Sequence, residues 1–394
     1  MRSPNAIGHV LAAAGLPTPS LTAVALLVST ALFAGCGESA SAYQQKGEEL
    51  VSKHNLDEAM AAFDKAIEID PRFAVAYADR CDALRRTHQL DRALTDCDRA
   101  IELDPALVFA YVARGNVHDQ RREFELALTD YGKAIDLDAA SAVAYRNRAV
   151  AYGRHGDEEL ALADYDKAIE LAPQYAHAWA SRGGTEASLG QYNAAARDLD
   201  RAISLDPAEV TAYVNRGSLR SQNGDATGAL ADLDTAVGLD PTSARARAER
   251  AGVLIARGDY QAAITDADKA IALDPMDASG YYQRGLANAW IGNDGAATGD
   301  YTTAIELDAG HFQAIAARAR AYLRQENAEA ALADIARLVE RQPDAAILYA
   351  FRGSAKAIAG DAAGAVADFD RAQSMSTDPE EQSAIEELRN ELGL

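Results

Sequence analysis

Apolar residues return along this chain with a period of 34 residues, and no insertion or deletion breaks that register from Ile69 to Met375. Each period contains two stretches in which apolar residues stand three or four positions apart, the spacing of one face of an α-helix. In the period Trp179–Pro207, Gly190-Gln191 separates the two stretches and Asp206-Pro207 closes the second. The pattern predicts a pair of helices in each period and a stack of such pairs, as is typical of helical solenoids.

The residues between the apolar stretches indicate where each helix ends. We number every unit 1 to 34, and the first unit begins at Ala40. Glycine tolerates the left-handed conformation that ends a helix, and Asp or Asn can cap the helix that follows. Proline at position 32 removes a backbone donor and separates one unit from the next. Position 15 is glycine in six units: Gly156, Gly190, Gly224, Gly258, Gly292 and Gly360.

Six positions of the unit have a characteristic residue type: an aromatic at 4, a small residue at 8, Ala at 20, a large apolar residue at 24, Ala at 27 and Pro at 32. In the fifth unit these residues are Trp179, Gly183, Ala195, Leu199, Ala202 and Pro207. This pattern resembles the tetratricopeptide repeat (TPR). The resemblance implies an all-α, right-handed α-solenoid of about ten 34-residue helix-turn-helix units over residues 42–379.

The repeat register stops after Pro379, but residues 380–394 still predict a helix. This segment is rich in Glu and places Ile385 and Leu388 on one face. Because a solenoid needs a terminal element with a polar outer side, we expect a C-terminal capping helix here.

A pair of charged positions runs through nine of the ten units. Position 7 is arginine and position 23 is aspartate in the same units, which predicts an ion pair between the two helices of each unit. A partly buried pair of this kind specifies packing more than it adds stability. The arginines are Arg80, Arg114, Arg148, Arg182, Arg216, Arg250, Arg284, Arg318 and Arg352.

The first 35 residues lie outside the repeat and predict an export signal. An apolar run from Leu21 to Ala34 is too short to span a membrane and ends in Leu32–Cys36. This ending resembles the lipobox of bacterial lipoproteins, which implies that Cys36 is lipidated and that residues 36–41 form a short linker. The localisation implied is a periplasm-facing lipoprotein of the outer membrane. Signal cleavage after Ala40-Ser41-Ala42, which would leave a soluble periplasmic protein, is the alternative.

Cys81 and Cys97 stand at the core positions 8 and 24 of the second unit. We expect two small buried thiols, because antiparallel helix packing places position 24 about one turn away from position 8. A disulfide between the two helices is the alternative in an oxidising compartment.

Composition and motifs argue against an enzyme or a nucleic-acid-binding protein. A formal net charge of −22 disfavours general binding to nucleic acid. None of the seven histidines stands three or four residues from another, so helical metal-ligand spacing is missing. The sequence contains no phosphate-binding glycine loop and no nucleophile elbow. We therefore expect no catalytic residues, no metal and no cofactor.

The resemblance implies a groove lined by positions 2, 5, 6, 9, 12 and 13 of each first helix, which we call the groove positions. They carry seven arginines and five acidic residues, so the groove is nearly neutral. A partner peptide or helix is expected there, because an open channel beside aromatic side chains suits either one. Simple solvation of the arginines, and packing of the tryptophan on its neighbouring unit, remain the alternatives. The candidate residues are Asn116, Arg146, Asn147, Arg154, His177, Tyr282 and Trp290.

Together these features predict a non-catalytic protein–protein interaction scaffold of the bacterial cell envelope, with a lipid anchor in the membrane. The sequence does not name the partner protein. A soluble periplasmic adaptor and an accessory subunit that binds a small ligand are the alternatives.

Overall fold

The computed structural model describes residues 39–394 of the chain. The predicted export signal and its Cys36 therefore lie outside the described residues. Residues 39–394 form helices joined by turns and contain no strand. The all-α repeat architecture predicted from the 34-residue period is confirmed.

The described residues form 21 helices, which we number in chain order. Their bounds are α1 Ala40–Ser52, α2 Leu56–Ile69, α3 Ala74–Arg86, α4 Leu90–Leu103, α5 Val108–Gln120, α6 Phe124–Leu137, α7 Ala142–His155, α8 Glu158–Leu171, α9 Ala176–Ser188, α10 Tyr192–Leu205, α11 Val210–Gln222, α12 Ala226–Leu239, α13 Ala244–Ala256, α14 Tyr260–Leu273, α15 Ala278–Trp290, α16 Asp294–Leu307, α17 Phe312–Arg324, α18 Ala328–Arg341, α19 Ala346–Ile358, α20 Ala362–Met375 and α21 Pro379–Glu391.

The chain divides into two compact bodies, the first ending at Leu171 and the second running from Ala172 to Leu394. The N-terminal body contains α1–α8, and the C-terminal body contains α9–α21. In both bodies an odd-numbered helix packs against the even-numbered helix that follows it, and these pairs are the predicted units. No helix within residues 39–394 is long and apolar enough to cross a membrane.

Position 15 adopts the left-handed conformation in all ten units, as the glycine pattern predicts. The six glycines have φ values between 74° and 92°. The other four units place His54, His88, Arg122 and Glu326 there, with φ between 54° and 61°. A residue with a Cβ is strained in this region by roughly 1–2 kcal/mol. The backbone turn is therefore imposed by helix packing and does not depend on glycine alone.

In most units the core forms where a small residue at position 8 meets a large one at position 24. A Cβ added to Gly47 would lie 2.3 Å from the ring of Phe63, and one added to Gly115 would lie 2.6 Å from the ring of Tyr131. Position 20 stands beside this contact, and its alanine is fully buried in every unit. Small side chains at these two positions let the helices approach closely enough to bury a ring between them.

Cys81 and Cys97 form a disulfide bond, so the expectation of two separate thiols is wrong. Their Cα atoms are 5.5 Å apart, within the range that a disulfide spans. The error lay in the assumed helix register, because positions 8 and 24 are in direct contact. In this unit the contact that joins Gly47 to Phe63 in unit one and Gly115 to Tyr131 in unit three joins two cysteines.

The predicted ion pair between positions 7 and 23 of the same unit is confirmed. Arg80, for example, donates from Nε and Nη2 to the two carboxylate oxygens of Asp96, at 2.6 and 2.7 Å. The structure adds a second partner that the sequence analysis missed, since Arg80 Nη1 also donates to Asp64 of the preceding unit at 2.6 Å. The same inter-unit pair recurs as Arg114–Asp98, Arg216–Asp200, Arg250–Asp234 and Arg284–Asp268. One arginine thus joins both helices of its unit to the unit before.

The aromatic residue at position 4 also connects neighbouring units. The Tyr111 hydroxyl donates to the carbonyl oxygen of Pro105 at 3.2 Å, and Tyr349 does the same to Pro343 at 2.9 Å. Arg247, which replaces the aromatic in unit seven, donates to the Pro241 carbonyl at 3.0 Å. A long side chain with a donor at its tip can thus make this contact, although Ile315 at position 4 of unit nine has no donor and is buried instead.

Helix α21 packs on the tenth unit as an additional first helix. Ile385 is buried against Tyr349 and Phe369. Ser383 and Glu387, which face away, are exposed. The last unit thereby covers its apolar side with a helix whose outer face is polar.

Candidate functional site

The groove positions of the N-terminal body form a polar network, which we call the N-terminal groove wall. It consists of Gln44, Glu48, Asp79, Asp82, Arg85, Arg86, Asn116, Asp119, Gln120, Arg146, Asn147 and Arg154. Most of these side chains bond to one another across neighbouring first helices, and the separate contacts are described below.

Asp79 is the most perturbed carboxyl group of this wall. Gln44 Nε2 donates to Asp79 Oδ2 at 2.7 Å across neighbouring units. Burial raises the pKa of Asp79 to about 6, and the nearby negative charges of Glu48 and Asp82 act in the same direction, although the Gln44 hydrogen bond opposes them. The charged form of Asp79 is therefore less favourable in the folded chain than in the unfolded chain, and the carboxyl group stays protonated to a higher pH than usual.

Asp82 has the opposite electrostatic balance. It accepts hydrogen bonds from Arg85 Nη2 at 2.8 Å and from Arg86 Nε at 2.7 Å. Burial alone would raise the pKa of Asp82, but the two arginines lower it below the ordinary value. The carboxylate and both guanidinium groups satisfy one another within a single helix.

Three of the predicted site residues, Asn116, Arg146 and Asn147, are brought together by the structure. Asn147 Nδ2 donates to Asn116 Oδ1 at 3.0 Å, and Arg146 Nη1 donates to Asn147 Oδ1 at 2.8 Å. The Tyr131 hydroxyl also donates to Asn116 Oδ1, at 2.8 Å. The three side chains form a cluster whose donors are directed at its own acceptors.

Arg154 forms an ion pair with Asp119 of the preceding unit. Position 12 of one unit thus reaches position 13 of the next, so Arg154 has an acidic partner that the sequence analysis did not identify. Asp119 is 8% exposed, and its Oδ1 receives no hydrogen bond from the described residues. Burial raises the pKa of Asp119 although Arg154, Arg85 and Arg146 oppose the shift.

His177, in the C-terminal body, interacts with nearby residues. Its Nδ1 lies 2.9 Å from Glu209 Oε2, and its ring stacks on Tyr175 with centroids 6.3 Å apart. The paired histidine lowers the pKa of Glu209, although burial acts against this. We find no contact of His177 with Tyr282 or Trp290 in the described part of the chain, so the structure does not group these three candidates.

Tyr282 and Trp290 lie on the same helix, α15, but differ in exposure. The ring of Tyr282 packs on His311 at a centroid distance of 4.7 Å and on Tyr301 at 6.2 Å. Burial raises the pKa of Tyr282. Trp290 stacks on Tyr260 of the preceding unit, with centroids 5.9 Å apart and rings 8° from parallel, yet it is 65% exposed. Trp290 therefore packs on its neighbouring unit, as one alternative had it, and still exposes much of its surface to solvent.

The C-terminal body also contains a cavity of about 300 Å³ that the sequence analysis did not identify. Its lining residues are Arg320, Leu323, Arg324, Phe351, Ser354, Leu388, Glu391 and Leu392. The first five are groove positions of units nine and ten, and the last three belong to α21 or follow it. Counting 34 residues from Ser354 reaches Leu388, so the repeat register could have placed the capping helix beside this part of the groove.

The two arginines of this cavity have different partners. Arg324 donates from Nε and Nη2 to Asp294 at 2.9 and 2.5 Å. Arg320 instead lies over the ring of Phe351, with its guanidinium carbon 5.0 Å from the centroid, and forms no ion pair with any residue within 39–394. Cation–π stacking orients Arg320 and leaves its charge available to a ligand.

Residues 39–394 contain no group of three or more His, Cys, Asp or Glu side chains that could hold a metal ion. We call Trp290, Tyr260, Arg320 and the cavity residues the C-terminal groove wall. This wall combines exposed aromatic surface, an unpaired cation and an apolar recess, which are features of surfaces that bind a protein segment.

Comparison with known proteins identifies the repeat. Family models described as TPR repeat or tetratricopeptide repeat match residues 40–73, 142–175, 185–244, 251–292 and 316–380. A search of curated proteins finds no significant match.

Solved structures show the same architecture. The crystal structure of the APC/C hetero-tetramer Cut9–Hcn1 is similar with a TM-score of 0.58 and 17% identity, over 70% of this chain and 54% of that chain. A tetratricopeptide repeat protein from Parabacteroides merdae gives a TM-score of 0.49 and 21% identity, over 64% of this chain and 99% of that chain. A thermophilic TPR protein from Thermus thermophilus gives a TM-score of 0.44 and 17% identity. The similarity covers 46% of this chain and 98% of that chain.

The chain spans about half the length of the Cut9–Hcn1 chain that it matches, and identities this low establish the fold alone. The family models together cover more than half of the 394 residues, at the positions where the structure shows successive helix pairs. The chain is therefore a tetratricopeptide repeat protein, a member of a family whose proteins generally act as non-catalytic scaffolds for protein–protein interaction.

Proposed function

We propose that this chain is a non-catalytic interaction scaffold of the bacterial cell envelope, anchored by a lipid on Cys36, that holds a partner peptide or helix at its groove positions. The observation that carries the binding part is the C-terminal groove wall. There Trp290 is 65% exposed, Arg320 has no ion pair with the described residues, and a cavity of about 300 Å³ lies beside it. Exposed aromatic and arginine side chains around a recess are the usual anchors of a protein interface.

Two features support location in the envelope. The sequence before the repeat resembles a lipoprotein export signal ending at Cys36. In addition, Cys81 and Cys97 are bonded as a disulfide, and such bonds persist in oxidising compartments such as the periplasm. A thiol pair kept reduced in the cytosol would not form this bridge stably.

The binding part is tested by recovering partners from solubilised envelope with the parent chain and with the double variant Trp290→Ala, Arg320→Gln. We expect the double variant to lose a partner that then binds the purified parent chain directly. The matched control is Leu126→Ala, because Leu126 is 52% exposed and lies outside the groove positions. Equal recovery by all three proteins contradicts groove binding.

The anchor is tested by Cys36→Ala. We expect this variant to lose acyl labelling and to move from the membrane fraction to the soluble fraction, because Cys36 is the residue that would carry the acyl chains. Several chains anchor a protein stably, so the change in partition should be large. Unchanged partition would instead favour a different attachment. A parent chain that is already soluble and lacks Cys36 would identify the soluble periplasmic adaptor.

A further inference from the structure

The cavity of the C-terminal groove wall has apolar sides. Leu323, Phe351, Leu388 and Leu392 line it, and all four are partly buried. Ser354 is 6% exposed, and its hydroxyl donates to the Ala350 carbonyl at 3.1 Å. The hydroxyl proton of Ser354 is therefore already engaged, and the sides of the cavity are mainly apolar. A volume of about 300 Å³ is in the range of pockets that hold a small ligand or a buried side chain.

The cavity is bordered by one available cation and one available anion. Arg320 is exposed and lies over the ring of Phe351, and no carboxylate within residues 39–394 is paired with it. Glu391 lines the cavity from α21, is exposed, and likewise forms no ion pair within the described residues. Arg324 does not contribute free charge, because Asp294 binds it through two donors.

A ligand must therefore combine an apolar group with a charge. An arginine guanidinium that is oriented by stacking binds a planar carboxylate through two parallel hydrogen bonds. Glu391 has no ring contact or hydrogen bond within the described residues that would orient its carboxylate in the same way. These contrasts favour an anionic occupant over a cationic one.

We propose that this cavity receives an apolar side chain from an acidic segment of a partner polypeptide, whose side-chain carboxylate binds Arg320. This inference rests on the proposed function, and it specifies the chemistry of the partner. Because helix α21 supplies one wall, the capping helix takes part in binding as well as in closing the array. The chain has a net charge of −22, so an acidic partner is repelled by most of its surface. An apolar anchor with one charge-assisted contact to Arg320 would therefore hold such a partner at this site only.

The first experiment selects 12-residue peptides from a display library against the full chain. We expect the selected peptides to pair aliphatic or aromatic residues with Asp or Glu. Their affinity should fall about tenfold or more in Arg320→Gln, because a charge-assisted bidentate contact is lost. The matched control is Arg324→Gln, which lines the same cavity but removes an arginine that is already paired.

A second pair of variants tests the cavity and the sign of its charge. Leu388→Trp places an indole in the cavity from its half-buried rim, and melting curves confirm that the variant is folded. It should abolish peptide binding. Glu391→Gln removes a like charge and should tighten binding of an acidic peptide by about twofold. A loss of binding in Glu391→Gln would instead show a cationic occupant and overturn the proposal.

Small probes test the same chemistry without a peptide sequence. Saturation-transfer NMR compares 4-phenylbutyrate, 4-phenylbutanol and 4-phenylbutylamine. The three probes share one apolar group and are negative, neutral and positive, respectively. The acid should bind most tightly, and only its affinity should depend on Arg320. Equal binding of all three probes, or no binding of any, overturns the inference.

The outcomes separate this inference from the proposed function. If an envelope partner is lost in Trp290→Ala but is retained in Arg320→Gln and Leu388→Trp, groove binding stands and the cavity proposal fails. Peptides amidated at the C-terminus should bind as well as free acids, since the carboxylate belongs to a side chain. Loss of binding on amidation would contradict that assignment.

Discussion

The two groove walls both include groove positions of the same repeat, yet they use their polar groups in opposite ways. In the N-terminal groove wall, Asp79 accepts from Gln44 and Asp119 pairs with Arg154, so charges and amides satisfy one another across units. In the C-terminal groove wall, Arg320 rests on Phe351 without an ion pair among the described residues, and Trp290 keeps one face in solvent.

The difference shows that a polar groove residue is a poor indicator of binding unless its partners are known. A donor already bonded to a neighbour must lose that hydrogen bond before it can bind a ligand. The free energies of the bond lost and the bond gained then nearly cancel. An arginine that is oriented but forms no ion pair within the described residues, such as Arg320, gives up only bound water when a ligand binds. The first wall therefore holds units together, and the second is available for recognition.

The largest effect is expected from removing the covalent link of the N-terminal body. Cys81→Ala with Cys97→Ala should lower the free energy of unfolding of units one to four by about 3 kcal/mol, the value for a loop of some 15 residues. Alanine is compatible with both positions, because unit seven has Ala251 and Ala267 there. Urea unfolding and hydrogen exchange of α3 and α4 measure the change.

Reduction of the parent chain with dithiothreitol is the control for that variant, and it should reproduce the same loss. The exchange rates of helices in the C-terminal body should stay unchanged, since a solenoid unit contacts only its neighbours. A uniform change across both bodies would contradict local stabilisation.

The second effect concerns the charge reversal Arg146→Glu with Arg154→Glu. It should lower the free energy of unfolding by about 1–3 kcal/mol, because it leaves buried Asp119 without its partner and places like charges beside it. The loss is below that of a fully buried pair, since the Arg154 side chain is 56% exposed. Thermal melting measures the loss, and partner recovery should be unaffected. Release of a partner from a variant with unchanged stability would restore these arginines as a binding site.

Much of the fold could be predicted from the sequence because repetition multiplies every local signal. Ten copies of alanine at position 20, nine arginine–aspartate pairs and regular glycine breaks determine the helix pairs and their ion pairs. The disulfide could not be predicted from the assumed pairing of positions 8 and 20. Observing that a large residue at 24 accompanies a small one at 8, as in Gly47–Phe63 and Gly115–Tyr131, would have placed the two cysteines in contact.

The candidate site was less predictable, because it depends on which side chains of neighbouring units meet. The sequence indicates that Arg154 and Arg320 both stand at groove positions, but not that Asp119 binds the first while Phe351 only stacks on the second. The cavity was missed for a related reason. It needs the register of α21 relative to unit ten, which periodicity alone did not assign after Pro379.

The third effect is a gain of stability in the N-terminal groove wall. Asp79 has a folded-state pKa of about 6, above its ordinary value of 3.8, so the folded chain binds this proton more tightly than the unfolded chain does. The contribution of Asp79 to stability is therefore greatest below pH 4 and is lost as the pH rises through about 6. Asp79→Asn removes this loss and should stabilise the chain at pH 7.5 by about 1–2 kcal/mol.

Urea unfolding at pH 4 and at pH 7.5 measures this effect, and the advantage of Asp79→Asn should be much smaller at pH 4. Asp136→Asn is the matched control, because it makes the same substitution at an exposed position of the same body. Destabilisation by Asp79→Asn at pH 7.5 would show that the carboxylate is favourable in this wall.

The smallest effect on stability, and the one that separates the two walls most directly, is expected for Trp290. Trp290→Ala removes a stacking contact with Tyr260 but little buried surface, so the free energy of unfolding should fall by only about 0.5–1 kcal/mol. Binding of a partner segment should nevertheless weaken about tenfold or more, because exposed tryptophans dominate interface energies. The chain has two tryptophans, and Trp179→Tyr leaves Trp290 as the single fluorophore while keeping a donor for the Pro173 carbonyl, as tyrosines do at this position in other units. In that background, a partner peptide that covers the indole should shift its emission to shorter wavelength. An emission maximum that stays constant while the peptide binds would show that recognition bypasses Trp290 and would confine the C-terminal site to the cavity.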